Sequence, residues 1–137
     1  MKRILAVLAA ATLFVGANHA QAQQDAHHKR VPLETMNGSG ISGWVNIVQM
    51  PQGGSNIVVT VQGLTDGDSY ASFYYESSDC TEPADAFQTF TGTSTGTITL
   101  HGKIDDDLDE VGSVSVRVGP GYGDLLACAD IAAAAKQ

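Results

Sequence analysis

The chain has 137 residues and a formal charge of −8, from 7 Lys and Arg against 15 Asp and Glu. That length suits one domain built on one core. The acidic balance supplies no basic face for nucleic acid or for an anionic membrane surface, so both are excluded as expected partners.

Lys2 and Arg3 precede the apolar run "ILAVLAAATLFVGA", which has the length of a signal-peptide core and is too short for a membrane span. "AQA", Ala20 to Ala22, places small residues where a signal peptidase needs them. A leader over residues 1–22 is therefore expected, with export to the periplasm or the exterior and no membrane span left after cleavage. Removing Lys2 and Arg3 takes the charge from −8 to −10. Residues 23–31, which include "QQDAHHKR", are polar and expected as a flexible tail. One domain is expected over residues 32–137.

From Val31 onward the signals are those of strands. "ISGWVNIVQM" alternates loosely and stops at Pro51, before the turn cluster "PQGGSN". "NIVVTVQGL" puts Ile57, Val59 and Val61 on one face, with Thr60 and Gln62 on the other. After the turn "TDGD" comes the β-prone "SYASFYYES". Its phase suggests Ala71 and Phe73 for the core and Tyr70, Ser72 and Tyr74 for the opposite face. "TGTITLHGKI" sets Ile98 and Leu100 against Thr99 and His101, so His101 is expected on an exposed strand face. "VGSVSVRV" sets Val114, Val116 and Val118 against Ser113, Ser115 and Arg117. "GPGYGD" reads as a loop. "LLACADIAA" fits a strand or a short helix by propensity, and its place after a long loop favours a strand. Short strands between Gly-rich turns indicate a β-sandwich or barrel.

Two cysteines, Cys80 and Cys128, lie in the mature chain. An exported protein with an even count is expected to oxidise them. The bond closes a loop of about 49 residues, which chain entropy values at roughly 4 kcal/mol.

Four blocks together resemble the copper/zinc superoxide dismutase family. "GSGISGWVNIVQMPQGGSNIVVTVQGLTDG" is similar to that family's first hairpin and third strand, ending in a Gly-Leu-Thr-x-Gly turn. "SYASFYYE" stands where the family has a Phe-His-x-His-Glu core. "VGSVSVRVGPG" resembles the strand that delivers the last copper-ligand histidine, and "GDLLACADI" resembles the closing Leu-Ala-Cys segment. The resemblance implies a Greek-key β-sandwich or barrel with one disulfide, Cys80 and Cys128 standing at the family's disulfide positions.

The resemblance also implies a metal centre that these residues do not furnish. Aligned from the Gly-Leu-Thr turn, Ser72 and Tyr74 fall where two copper histidines belong; aligned from Glu76, Phe73 and Tyr75 do. The last copper ligand falls at Val118, or at Arg117 with a shift of one. Leu125 stands where the family carries its substrate-guiding arginine. The family's histidine-bearing zinc loop is replaced by the short "TEPADAFQTFTG". No imidazole remains in these blocks to hold copper.

The remaining candidates are few. His27 and His28, beside Asp25, are weak ligands for copper or zinc. "DDDLDE", Asp105 to Glu110, carries carboxylates that calcium favours but lacks EF-hand spacing, so a solvated acidic turn is expected. No serine has a recognisable base partner. Tyr70, Tyr74 and Tyr75 combine apolar area with hydroxyl tips and form a possible binding patch. The expected function is that of an exported, non-catalytic superoxide dismutase-like domain acting in binding or structure, with no cofactor. The alternative is a copper- or zinc-binding family member with residual or partner-dependent activity in oxidative-stress defence. The partner is not legible, although an exposed edge or the tyrosine face suits a homodimer or a protein partner.

Overall fold

The computed structural model describes residues 27–134. The expected leader and the start of the expected tail lie outside them. Eight strands follow in order: β1 (His28–Thr35), β2 (Ser42–Gln49), β3 (Ser55–Gln62), β4 (Ser69–Tyr75), β5 (Ala84–Thr91), β6 (Thr97–Ile104), β7 (Ser113–Val118) and β8 (Leu125–Asp130). A single helical turn, α1 (Ile131–Ala134), closes the described chain. The "LLACADIAA" segment is thus a strand up to Asp130 and helical after it. No helix among the described residues is long and apolar enough to cross a membrane.

The strands form one antiparallel, nearly closed barrel in the order β5-β4-β7-β8-β1-β2-β3-β6. Two four-stranded halves meet along β1, whose first six residues pair with β2 and whose last two, Glu34 and Thr35, pair with Cys128 and Ala127 of β8. The connections β3 to β4, β5 to β6 and β6 to β7 cross between the halves, while the others join paired neighbours. β5 and β6 are the two ends of the ladder and share no strand pairing.

Strand β1 begins at His28, so His28 to Val31, expected in the tail, belong to the sheet. The physical reason is period-two burial: Lys29, Val31 and Leu33 face inward and Arg30, Pro32 and Glu34 outward. Polar composition hid the start of a strand whose first inward residue is a lysine. Burial lowers the Lys29 ammonium from its ordinary pKa, and the nearby Asp109 carboxylate opposes that shift.

The interior is filled by Val31 and Leu33 of β1, Val45 and Ile47 of β2, Ile57, Val59 and Val61 of β3, and Leu100 and Ile104 of β6. The other half adds Val114 and Val116 of β7 and Ala127 and Ala129 of β8. β8 contributes the small Ala127 and Ala129 to this interior, beside the larger valines, leucines and isoleucines of the other strands. The alternation expected for β3, β6 and the first two valines of β7 is present. Val118 departs from it: at the strand's end it is 42% exposed.

Leu33, 1% exposed, contacts the core from the strand that joins both halves. Leu33→Ala is expected to cost roughly 2–5 kcal/mol in urea unfolding. Thr99→Ala, on the solvent face of β6, is expected to stay within about 0.5 kcal/mol.

Candidate functional site

The site of interest lies on the outer face of β4, β7 and β8. In paired antiparallel strands, residues directly opposite one another share a face. Tyr70, Ser72 and Tyr74 of β4 oppose Val118, Val116 and Val114 of β7. Val114 and Val116 are core residues, so this set faces the barrel interior. Ala71, Phe73 and Tyr75 oppose Arg117, Ser115 and Ser113 and face outward. The phase of β4 is therefore the reverse of the one expected. Tyr70 fits the interior because its ring stacks on Phe90, centroids 5.5 Å apart, and its hydroxyl accepts a hydrogen bond from Thr65 N at 2.9 Å.

The outward face is nevertheless buried. Tyr75 is 1% exposed, and Ser113 and Ser115 are buried beside it. The segment 76–83 between β4 and β5 folds over them. The Cys80–Cys128 disulfide pins that segment to β8. Cys80 N donates to Ser113 Oγ at 3.0 Å, and Ser113 Oγ donates to Ser77 O at 2.6 Å. Gly112 lets the chain approach closely, since a Cβ there would come within 2.0 Å of Glu76 O. Ser77 and Thr81 lock the outer part of the cover, with Ser77 Oγ donating to Thr81 O at 2.7 Å.

Arg117 holds this arrangement together. Its Nε donates to Tyr75 Oη at 2.9 Å, its Nη2 to Cys80 O at 3.0 Å and its Nη1 to Gly123 O at 3.0 Å. Tyr75 Oη and Ser115 Oγ lie 2.7 Å apart in a further hydrogen bond. The guanidinium carbon sits 3.9 Å from the centroid of Tyr122, and Phe73 meets the same ring edge-on at 5.0 Å. Burial and a hydrogen bond to Tyr75 push the Tyr122 phenol up to about 12, against the pull of Arg117. One guanidinium thus ties the covering segment, the strand pair and the 119–124 loop together.

The positions assigned to lost copper ligands separate into two groups. Ser72, Tyr74 and Val118 share the inward face but no common space. Ser72 is buried and donates to Ser115 O at 2.9 Å, Tyr74 is half-buried, and Val118 is exposed beside the opposite end of β4. Phe73, Tyr75 and Arg117, the other register, converge around Tyr122. The proposed tyrosine patch is corrected in the same way. Tyr70 (5% exposed) and Tyr75 are interior, because the core takes one and the covering segment the other. Tyr74 alone reaches the surface. Leu125 is half-buried and lies opposite Arg117 across the β7–β8 pair.

Other candidates occupy separate places. His27 is exposed and lines a groove with Gln49, Met50 and Asp107, while His28 enters β1 opposite Val48. His101 is exposed on β6, as expected. Among the described residues no three His, Cys, Asp or Glu side chains are grouped so as to hold a metal. The acidic turn is not merely solvated. Asp107 Oδ1 accepts from Gln49 Nε2 at 2.9 Å and from Gly54 N at 2.8 Å, and the Gln49 bond leads in holding this carboxyl below its usual range. Leu108 is buried beneath it. Around Tyr74 the carboxylates crowd together. Burial, then Asp106, Asp85 and Asp105, raise its phenol, and burial, then Asp85, Glu110, Glu76 and Asp105, raise the Asp106 carboxyl.

Sequence reasoning missed the covered face. Its signal was the polar side of "SVSVRV", which carries small hydroxyls where a wet strand face usually carries charge. An apolar groove of about 370 Å3 also escaped notice, lined by Ala71, Phe73, Phe87, Thr89, Pro120 and Tyr122.

Comparison with models of known families finds no match, and no characterised protein matches in sequence.

Two outcomes follow. The double substitution Cys80→Ser/Cys128→Ser, which opens a loop of sequence separation 48, is expected to lower unfolding free energy by about 4 kcal/mol in denaturant. Unchanged stability would show that the cover is held without the bond. In the folded state Tyr122 keeps its proton longer than an ordinary tyrosine with a pKa of 10.0. Its contribution to stability is therefore complete below pH 10 and declines as pH rises towards 12. Absorbance titration should show the Tyr122 phenol ionising later than an ordinary tyrosine, and Tyr122→Phe should reduce the late-ionising amplitude by one phenol.

Proposed function

We propose that the chain is an exported superoxide dismutase-like barrel domain that has lost the metal centre and serves as a binding or structural module. The strand order supports the fold type, since β3 lies beside β6 and β4 beside β7, the adjacency that Greek-key connections produce. A disulfide from the β4–β5 connection to β8 agrees with the resemblance of the two cysteine blocks.

The observation that carries the loss of function is the occupation of the outer face. Phe73, Tyr75 and Arg117, one of the two registers for the copper ligands, are joined to each other or to Tyr122. They place an aromatic ring, a phenol and a guanidinium where a redox copper would need imidazoles. Arg117 spends its hydrogen bonds on Tyr75, Cys80 and Gly123, which gives it a structural role. A protein of this kind acts through surface recognition.

A metal-handling reading draws on His27, set in a groove of about 650 Å3 beside Met50 and Asp107. Protein purified from the periplasm separates the two. Metal analysis is expected to give far less than one copper per chain, with no dismutase turnover. Stoichiometric copper with turnover overturns the proposal. Copper bound without turnover, and lost in a His27→Ala/His28→Ala variant, establishes the second reading.

A further inference from the structure

The barrel is open between β5 and β6. Each is paired on one side only, β5 with β4 and β6 with β3, and neither has another strand partner among the described residues. Among the described residues a side-chain hydrogen bond crosses the seam, from Gln88 Nε2 to His101 O at 2.7 Å. Open edges carry unpaired backbone N–H and C=O groups and accept added strands.

The edge of β5 is also irregular. Its pairing with β4 slips between Ser72 and Phe73, leaving Phe87 without an opposite residue. Phe87 lies against Gly102 of β6, where a Cβ would come within 3.0 Å of its ring. A groove of about 250 Å3 opens here, lined by Tyr74, Phe87, Gln88, Lys103 and Asp105 among others. Ala86, Phe87 and Gln88 also line the apolar groove beside Tyr122, so the bulge separates two depressions.

Charge sets the character of an occupant. Asp85 stands opposite Tyr74 in the β4–β5 pair, and Asp105 lines the groove with that tyrosine. Asp85, Asp105 and Asp106 act on Tyr74, and Asp85, Glu110, Glu76 and Asp105 act on Asp106, at this end of the seam. Lys103 is the one basic residue lining the groove. An acidic strand entering here meets repulsion and a neutral one gains no charge pairing, whereas Lys or Arg side chains meet carboxylates and the faces of Tyr74 and Phe87.

We propose that the β5–β6 seam is a docking edge for an extended, basic segment of a partner protein, which adds as a strand and places its cationic side chains among Asp85, Asp105 and Asp106. The inference stands apart from the family reading, because it uses only the open ladder, the groove and the carboxylates. Loss or presence of copper leaves it unaltered.

The test is amide-resolved NMR titration of the mature protein at low salt. The probe is a capped six-residue peptide of alternating Lys and Thr. Saturable shifts confined to β5, β6 and Tyr74 are expected. An Asp85→Asn/Asp105→Asn variant, altered only at exposed positions, should bind about tenfold more weakly, as the loss of two partly screened charge pairs implies. The same peptide N-methylated at alternate backbone nitrogens should lose the shifts. Equal binding by the N-methylated peptide or by spermine would overturn the proposal, since charge alone would then suffice. So would shifts spread over the whole acidic surface, or no saturation. Concentration-dependent shifts of β5 and β6 without peptide would assign the edge to a second copy of the chain and equally overturn it.

Discussion

The Arg117 guanidinium is the interaction on which the outer face of this barrel depends. Cys80 has a left-handed backbone, φ 58°, a conformation that costs an ordinary residue roughly 1–2 kcal/mol. It is held by three independent restraints: the bond to Cys128, the Ser113 hydroxyl on its N–H, and Arg117 on its carbonyl. The same guanidinium reaches Tyr75 and Gly123, so strand, cover and loop are positioned by one planar group. A lysine has the charge but not the fork of donors needed to meet three acceptors in different directions.

This arrangement gives the barrel two interiors of different chemistry. The inner one is aliphatic, and its energy comes from burying valine, leucine and isoleucine. The outer one is polar: Tyr75, Ser113, Ser115 and Arg117 are partnered by one another and by backbone carbonyls. A buried polar layer is favourable only when nearly every group is paired. The number of interlocking bonds here therefore matters more than any single one. An imidazole introduced alone at Tyr75 would leave Arg117 and Ser115 short of a partner, so the layer resists single substitutions.

Much of the barrel was legible in its residues. Ile57, Val59 and Val61 announce their strand by strict alternation, and the structure buries all three completely. Cys80 and Cys128 announce their bond by their even number. The β4 face was misread because alternation reports burial against one core. On β4 both faces are buried, so Tyr70 and Ala71 are alike in exposure although they point in opposite directions. The start of β1 was missed because His28, Lys29 and Arg30 are polar, and pairing with Val48, Ile47 and Asn46 rather than composition makes them a strand. The convergence of Tyr75, Arg117 and Tyr122 depends on register between segments some forty residues apart, which no local pattern encodes.

Native-state hydrogen exchange at the Cys80 amide tests the covered outer face most directly. That amide lies in a loop by secondary structure but donates to a buried serine hydroxyl. The account predicts exchange as slow as that of the central β3 amides, opening only with the barrel as a whole. Exchange at the rate of an exposed loop, with β3 still protected, would mean that the cover opens by itself and that the face beneath it is accessible.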